Sequence, residues 1–242
     1  MSLGEVLDTG WKLYVENFLL FVSFSLVVGI PGGLLAGFLT QSVSGDDVSA
    51  ALMSLLAYML ILLVVSPLAS AATTRAVAGR YLNEPVSFGG AWSYALQLLL
   101  PLLGAILLAG LLIVGGLILL VIPGLYLMLR FTFISQAVVV ERLGGSRALK
   151  RSGALMKGNY GRLIALYLIY FVFSYAIGFL MEMLPIEDAY VLQVLAAIAQ
   201  AITGAYVACA ITVSYFERRC RHEGFDLERL ADNLGVEAPA QA

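Results

Sequence analysis

Residues 98–130 read LLLPLLGAILLAGLLIVGGLILLVIPGLYLMLR, an apolar run in which Arg130 is the only charge. A helix that spans a membrane needs about 20 apolar residues, so this run is too long for one span. The Pro123-Gly124 pair is a turn signal that divides it. We therefore predict one span at about 98–121 and another at about 125–143.

The rest of the chain has the same apolar character. Hydrophobic residues make up 61% of its 242 residues and charged residues 12%, against about 45–50% and about 25% in soluble domains. The net charge of −2 gives no basic surface of the kind that nucleic-acid binding requires. Four further uncharged stretches are each long enough for one span, at 17–45, 48–74, 163–181 and 189–216. The sequence therefore predicts an all-α integral membrane protein with six transmembrane helices in 1–216 and a cytoplasmic C-terminal tail in 217–242.

The charges outside the spans are distributed unequally. All Lys and Arg residues except Arg130 flank the same ends of the predicted spans, and the opposite connections, near 40–47, 121–124 and 182–188, contain none. Positively charged loops remain in the cytoplasm. This asymmetry predicts that the N- and C-termini are both cytoplasmic.

Three segments that precede predicted spans are amphipathic as helices, at 3–18, 87–98 and 146–157. Such helices lie in the membrane interface; the alternative is a cytoplasmic extension of the following span. Asn17 and Asn159 align without a gap in the first and third segments. This match favours three hairpin repeats, at 1–82, 83–143 and 144–216, against the alternative of a chance resemblance.

The sequence offers little for catalysis. The intramembrane zinc-protease motif H-E-x-x-H is absent, and the single histidine, His222, follows the last span. Cys209 and Cys220 are too few for a metal site of the Cys/His type. We expect no enzymatic activity, no cofactor and no metal.

Arg130 is a functional candidate because a charge inside a span is expensive. It lies about five residues past the predicted turn, roughly 7–8 Å deep. In one interpretation its side chain reaches the outer headgroups or pairs with Glu182. In the other it binds a lipid phosphate or an anionic substrate group in a polar interior. The polar residues expected near it are Gln136, Tyr167, Tyr170, Gln193 and Gln200.

The loop 142–162 carries six positive charges with interleaved apolar residues. Anionic lipid attracts such a segment by about 1 kcal/mol per charge near the surface; the alternative is that these charges only fix the topology. Together with Arg130, the candidate contacts for a lipid or another anion are Arg147, Lys150, Arg151 and Lys157.

Three stretches resemble a known family: GEVLDTGWKLYVENF (4–18), IPGLYLMLRF (122–131) and VVVERLGGSRALKRSGALMKGNY (138–160). They are similar to the membrane domain found on some glycerophosphoryl diester phosphodiesterases, which also occurs alone in multi-span proteins such as the YciC-like group. Where that pattern usually has an aromatic residue after Arg151-Ser152, this chain has Gly153. The resemblance implies a six-span fold and a link to phospholipid biology. The phosphodiesterase activity belongs to a separate soluble barrel that this sequence does not contain.

Together with the resemblance, these observations predict a non-enzymatic protein in the plasma (inner) membrane of a bacterium or archaeon. It is expected to interact with lipids or to act as a scaffold. Its expected partners are membrane phospholipids at the cytoplasmic side and a protein at the C-terminal tail. The alternative is a small transporter or lipid scramblase with its site near Arg130. A hydrated groove containing Arg130 would favour transport, and a closed bundle would favour the first prediction.

Overall fold

The structure, a computed structural model, describes residues 3–44, 48–82, 84–186 and 188–223. This part of the chain contains helices and no strand, and six helical segments are long and apolar enough to cross a membrane. They are Phe18–Val43, Val48–Tyr81, Leu99–Leu119, Val121–Glu141, Tyr160–Glu182 and Tyr190–Arg221. The predicted all-α fold with six transmembrane helices is therefore confirmed.

The helices follow one another in a regular order. α1 (Leu3–Glu16) precedes α2 (Phe18–Ser44), and α3 (Val48–Leu60) continues through a π-helix (Ile61–Val65) into α4 (Ser66–Tyr81). The later elements are α5 (Phe88–Gln97), α6 (Leu99–Leu119), α7 (Val121–Arg130), α8 (Ile134–Glu141), α9 (Ser146–Met156), α10 (Tyr160–Glu182) and α11 (Ala189–Glu223). The helices α1, α5 and α9 each precede two spans, as the predicted repeats require. That these three units of one helix and two spans are true repeats stays a prediction.

The span formed by α3 and α4 changes its helix type just before Pro67. Proline has no N–H to donate to the carbonyl four residues earlier, and in a regular α-helix its ring collides with that carbonyl. A π-helix has wider turns, which relieve the collision. The span therefore continues through the proline from Val48 to Tyr81.

The connection between α6 and α7 differs from the sequence prediction. The turn is a single extended residue, Leu120, so the prediction of a turn at Pro123-Gly124 is wrong. Pro123 lies in the first turn of α7, where a missing N–H breaks no hydrogen bond. Gly124 allows close packing, because a Cβ there would lie 2.4 Å from the Leu117 side chain. The spans run Leu99–Leu119 and Val121–Glu141 instead of 98–121 and 125–143.

The second of these spans is interrupted. A turn at 131–133 separates α7 from α8, and α9 then folds back to pack against α6, α7, α8 and α11. The small residues Ala148, Ser152 and Gly153 of α9 are buried, which allows this close approach. The apolar face of α9 therefore meets protein, whereas the sequence predicted that it would lie in the membrane interface.

The molecule has two different ends. The turns after α2 and α10 lie together at one end, termed the turn end, where the Tyr190 hydroxyl donates to Gln41 Oε1 at 2.7 Å. α4, α8, α9 and the last part of α11 form the opposite, basic end, where many side chains are buried. α11 does not stop at Phe216, the predicted span limit, but continues to Glu223. The rest of the predicted tail lies outside the described residues.

Candidate functional site

Arg130 lies against α9, far from the turn end. As the last residue of α7, it is roughly 15 Å from the turn at Leu120. The Ser152 hydroxyl donates to the Arg130 carbonyl at 2.8 Å. The guanidinium lies over Gly153, where an added Cβ would come within 2.6 Å of Nε. The predicted depth of about 7–8 Å is wrong because it was counted from Pro123-Gly124.

The glycine at 153 makes room for this arginine. A larger side chain at 153 would enter the space that the guanidinium occupies, because even an added Cβ would lie 3.3 Å from Nη2.

The structure does not bring Arg130 to Glu182. α10 begins at Tyr160, whose hydroxyl lies 3.1 Å from the Tyr126 hydroxyl of α7. Glu182 ends the same helix, about 33 Å further along its axis. Within the described ranges, no carboxylate forms an ion pair with Arg130. The predicted pair of Arg130 with Glu182 is therefore wrong.

Arg130 belongs to a cluster of two cations and two tyrosines, Arg130, Lys157, Tyr126 and Tyr160, termed the Arg130 cluster. The positive charges of Arg130 and Lys157 both lie within the range of electrostatic interaction with the Tyr126 hydroxyl. The Tyr126 and Tyr160 ring centroids are 5.4 Å apart. Lys157 and Tyr126 are exposed, and Arg130 is partly exposed. Because the Tyr160 hydroxyl donates to the Tyr126 hydroxyl, the cluster offers two positive charges and one hydroxyl donor, that of Tyr126, a set that suits phosphate oxygens.

The other candidate cations divide into two kinds. Arg147 and Lys150 are exposed on α9. Arg151 instead pairs with Glu141 of α8, with Nε 2.7 Å from Oε2, and its side chain is only 19% exposed. Because the carboxylate occupies this guanidinium, we remove Arg151 from the candidate lipid contacts.

Glu141 is the centre of an internal ionic cluster that the sequence analysis missed. It also accepts a hydrogen bond from the Tyr215 hydroxyl, and Arg219 Nε lies 3.5 Å from Oε1. Nearby, Arg162 pairs with Glu217 at 2.9 Å, so the ionic contacts join α8, α9, α10 and α11. The available signal was the isolation of Glu141, a single acidic residue at the start of the basic loop.

The polar residues expected around Arg130 lie in different places. Tyr167 stays near it, with its hydroxyl 3.5 Å from Thr132 Oγ1 in the turn that follows α7. Gln136 is buried in the basic end. A separate cavity between α2, the α3–α4 span, α10 and α11 is lined by Tyr170, Gln193 and Gln200. Arg130 does not line this cavity. The cavity therefore gives no support to the prediction of a transport site at Arg130.

An apolar groove of about 520 Å³ lies between α1, α10 and α11. Trp11, Tyr14 and Tyr206 line it and pack against one another at steep angles. The Tyr14 hydroxyl donates to the Ile202 carbonyl at 2.9 Å. Burial raises the pKa of Tyr14 to about 12, and Cys209 adds to the rise. The phenol therefore stays protonated and keeps this hydrogen bond, which holds α1 on α11.

These features define a six-span helical membrane protein with a compact, basic end. In the part of the chain that the structure describes, no group of three or more His, Cys, Asp or Glu side chains could hold a metal ion. Residues 19–218 match the family described as "Domain of unknown function (DUF7847)", and the chain belongs to that family. No curated protein and no solved structure matches it.

Proposed function

We propose that this protein is a non-enzymatic membrane component that binds anionic phospholipid at its basic end. It resides in the plasma membrane of a bacterium or archaeon, with both termini in the cytoplasm. The observation that carries the proposal is the Arg130 cluster. Two cations and two tyrosine hydroxyls meet at one surface position, and neither cation pairs with a described carboxylate.

The position of the cluster supports a lipid ligand. Next to it, α10 exposes large apolar side chains such as Ile164 and Leu168. On the other side, α9 exposes Arg147 and Lys150. The cluster thus lies where an apolar surface meets a basic one, an arrangement that suits a lipid headgroup with its acyl chains alongside. A guanidinium can bind two phosphate oxygens at once.

The test is the lipid preference of the purified protein in detergent, measured by native mass spectrometry with phosphatidylglycerol and phosphatidylcholine. We expect the protein to prefer phosphatidylglycerol. Arg130→Gln should lower that affinity roughly 10- to 100-fold, since a hydrogen bond to a charged group contributes about 1.5–3 kcal/mol.

Lys12→Gln is the matched control, because it removes one positive charge outside the cluster, at a residue that pairs with Asp8. It should leave the preference for phosphatidylglycerol nearly unchanged. Equal losses in both variants would indicate a general attraction to the positive charges of the protein and would overturn a site at Arg130.

A further inference from the structure

A polar cavity lies in the membrane-spanning part of the protein, away from the Arg130 cluster. This cavity, termed the polar groove, measures about 400 Å³, and the π-helix residues Ile61 and Leu62 lie at its edge. Its hydrogen-bonding side chains include Ser25, Tyr58, Ser66, Tyr170, Gln193 and Gln200. The volume is within the range of pockets that hold small molecules.

Four polar side chains of the groove have no hydrogen-bond partner among the residues that the structure describes. No hydrogen bond joins the side chain of Tyr58, Tyr170, Gln193 or Gln200 to another described residue. Such groups are strongly unfavourable in hydrocarbon unless a partner satisfies them. Four of them facing one cavity leave hydrogen-bonding capacity that a polar guest in the groove can satisfy.

The chemistry of the lining selects the guest. Among the described residues, no acidic, basic or histidine side chain lines the groove, so a charged ligand would lose its hydration without meeting a counter-charge. Hydroxyl and amide groups both donate and accept hydrogen bonds, as the hydroxyls of a polyol do. We propose that the polar groove binds an uncharged polyol group, either the headgroup of a neutral lipid or a free polyol.

The polar groove is closed by a tight helix contact at Gly33 and is open at Gly204. Gly33 of α2 meets α11 so closely that a Cβ there would lie 2.9 Å from Ala197 Cβ. Gly204 of α11 instead faces open space, since the atom nearest to an added Cβ is the Tyr170 hydroxyl at 3.9 Å. A larger side chain at 204 would therefore enter the groove without displacing a neighbouring helix.

Tyr170 also connects the polar groove to an apolar surface. It lines the apolar groove together with Trp11 and Phe173. An apolar acyl chain can pack in the apolar groove. The headgroup attached to that chain then reaches the polar groove on the other side of Tyr170. This arrangement favours the neutral lipid over the free polyol.

The test measures the binding of two tritiated probes, monoglucosyl diacylglycerol and glycerol, to the purified full-length protein in a detergent without a sugar headgroup. We expect saturable binding that falls at least about tenfold, or ~1.4 kcal/mol, in the double variant Gln193→Leu/Gln200→Leu. Gln97→Leu is the matched control, because Gln97 is exposed and lies outside the groove. No saturable binding of either probe, or full binding by the double variant, overturns the proposal.

Gly204→Leu is a second variant that removes no hydrogen-bonding group. It should also abolish binding, while its unfolding temperature stays near that of the wild type. Binding of the glycolipid without competition by glycerol identifies the lipid as the source, and competition by glycerol identifies the free polyol. Arg130→Gln should leave the binding of both probes unchanged, so failure of this proposal and failure of the anionic-lipid site give different results.

Discussion

Glu141 is the residue on which the packing of the basic end depends most directly. Its carboxylate is 14% exposed, binds Arg151 and Tyr215, and lies 3.5 Å from Arg219. Removing one member of a buried ion pair leaves its partner uncompensated and destabilises a protein by about 3–5 kcal/mol. We therefore expect Glu141→Gln to lower the unfolding temperature in detergent by roughly 6–20 °C.

Glu182→Gln is the matched control for this prediction, since Glu182 is exposed at the turn end. Its unfolding temperature should stay within about 1 °C of the wild type, because exposed charges contribute little. The double variant Glu141→Gln/Arg151→Gln should lose less stability than the sum of the two single variants, since the two residues share one interaction. Similar unfolding temperatures for Glu141→Gln and Glu182→Gln would contradict the structural role of Glu141.

Substitutions at Gly145 and Gly161 distinguish the effect of backbone conformation on stability from the effect of steric crowding. Neither has a neighbouring atom within 4 Å of an added Cβ, but Gly145 has a φ of 54°. Its ψ of −134° completes a conformation that side chains oppose by about 1–3 kcal/mol. Gly145→Ala should lower the free energy of unfolding by that amount, whereas Gly161→Ala should leave it unchanged or raise it slightly. Equal unfolding curves for the two variants would show that the start of α9 does not need this conformation.

At the scale of the helices, α9 positions the proposed lipid site through its contact with α7. An added Cβ at Gly153 would lie 2.6 Å from Arg130 Nε, so Gly153→Ala should push the guanidinium out of the cluster. We expect the preference for phosphatidylglycerol to fall toward that of Arg130→Gln. Ala154→Ser changes the exposed neighbour of Gly153 on α9 and should keep the preference. An unchanged preference in Gly153→Ala would show that α9 does not set the position of Arg130.

The same helix shows what the sequence can predict at this scale. The spacing of Leu149, Ser152 and Leu155 identified an amphipathic helix, and the structure has one at Ser146–Met156. The spacing could not identify what the apolar face meets, because lipid and protein both bury the same kind of surface. The turn before α7 was misplaced for a related reason, since proline is compatible with a turn and also with the first turn of a helix.

At the scale of the whole molecule, the six spans were predictable because a long apolar run has few stable alternatives to a transmembrane helix. The surroundings of Arg130 were not, because they depend on which distant segment packs beside α7. Tyr160 and Gly153 reach Arg130 only after α9 folds back on the bundle. The polar groove likewise combines residues that are far apart in the chain, such as Tyr58 and Gln193.

The orientation of the whole molecule can be tested with its own cysteines. Cys220 is exposed at the basic end and Cys209 is buried, whereas Leu120 is exposed in the turn between α6 and α7. With cytoplasmic termini, a membrane-impermeant maleimide should label Leu120→Cys in intact cells and Cys220 only after lysis. Cys209 should react only after unfolding, which makes it an internal control. Labelling of Cys220 in intact cells would show that the orientation is the opposite one, with the Arg130 cluster in the outer leaflet. The unequal distribution of Lys and Arg between the two sides of the membrane would then have no explanation.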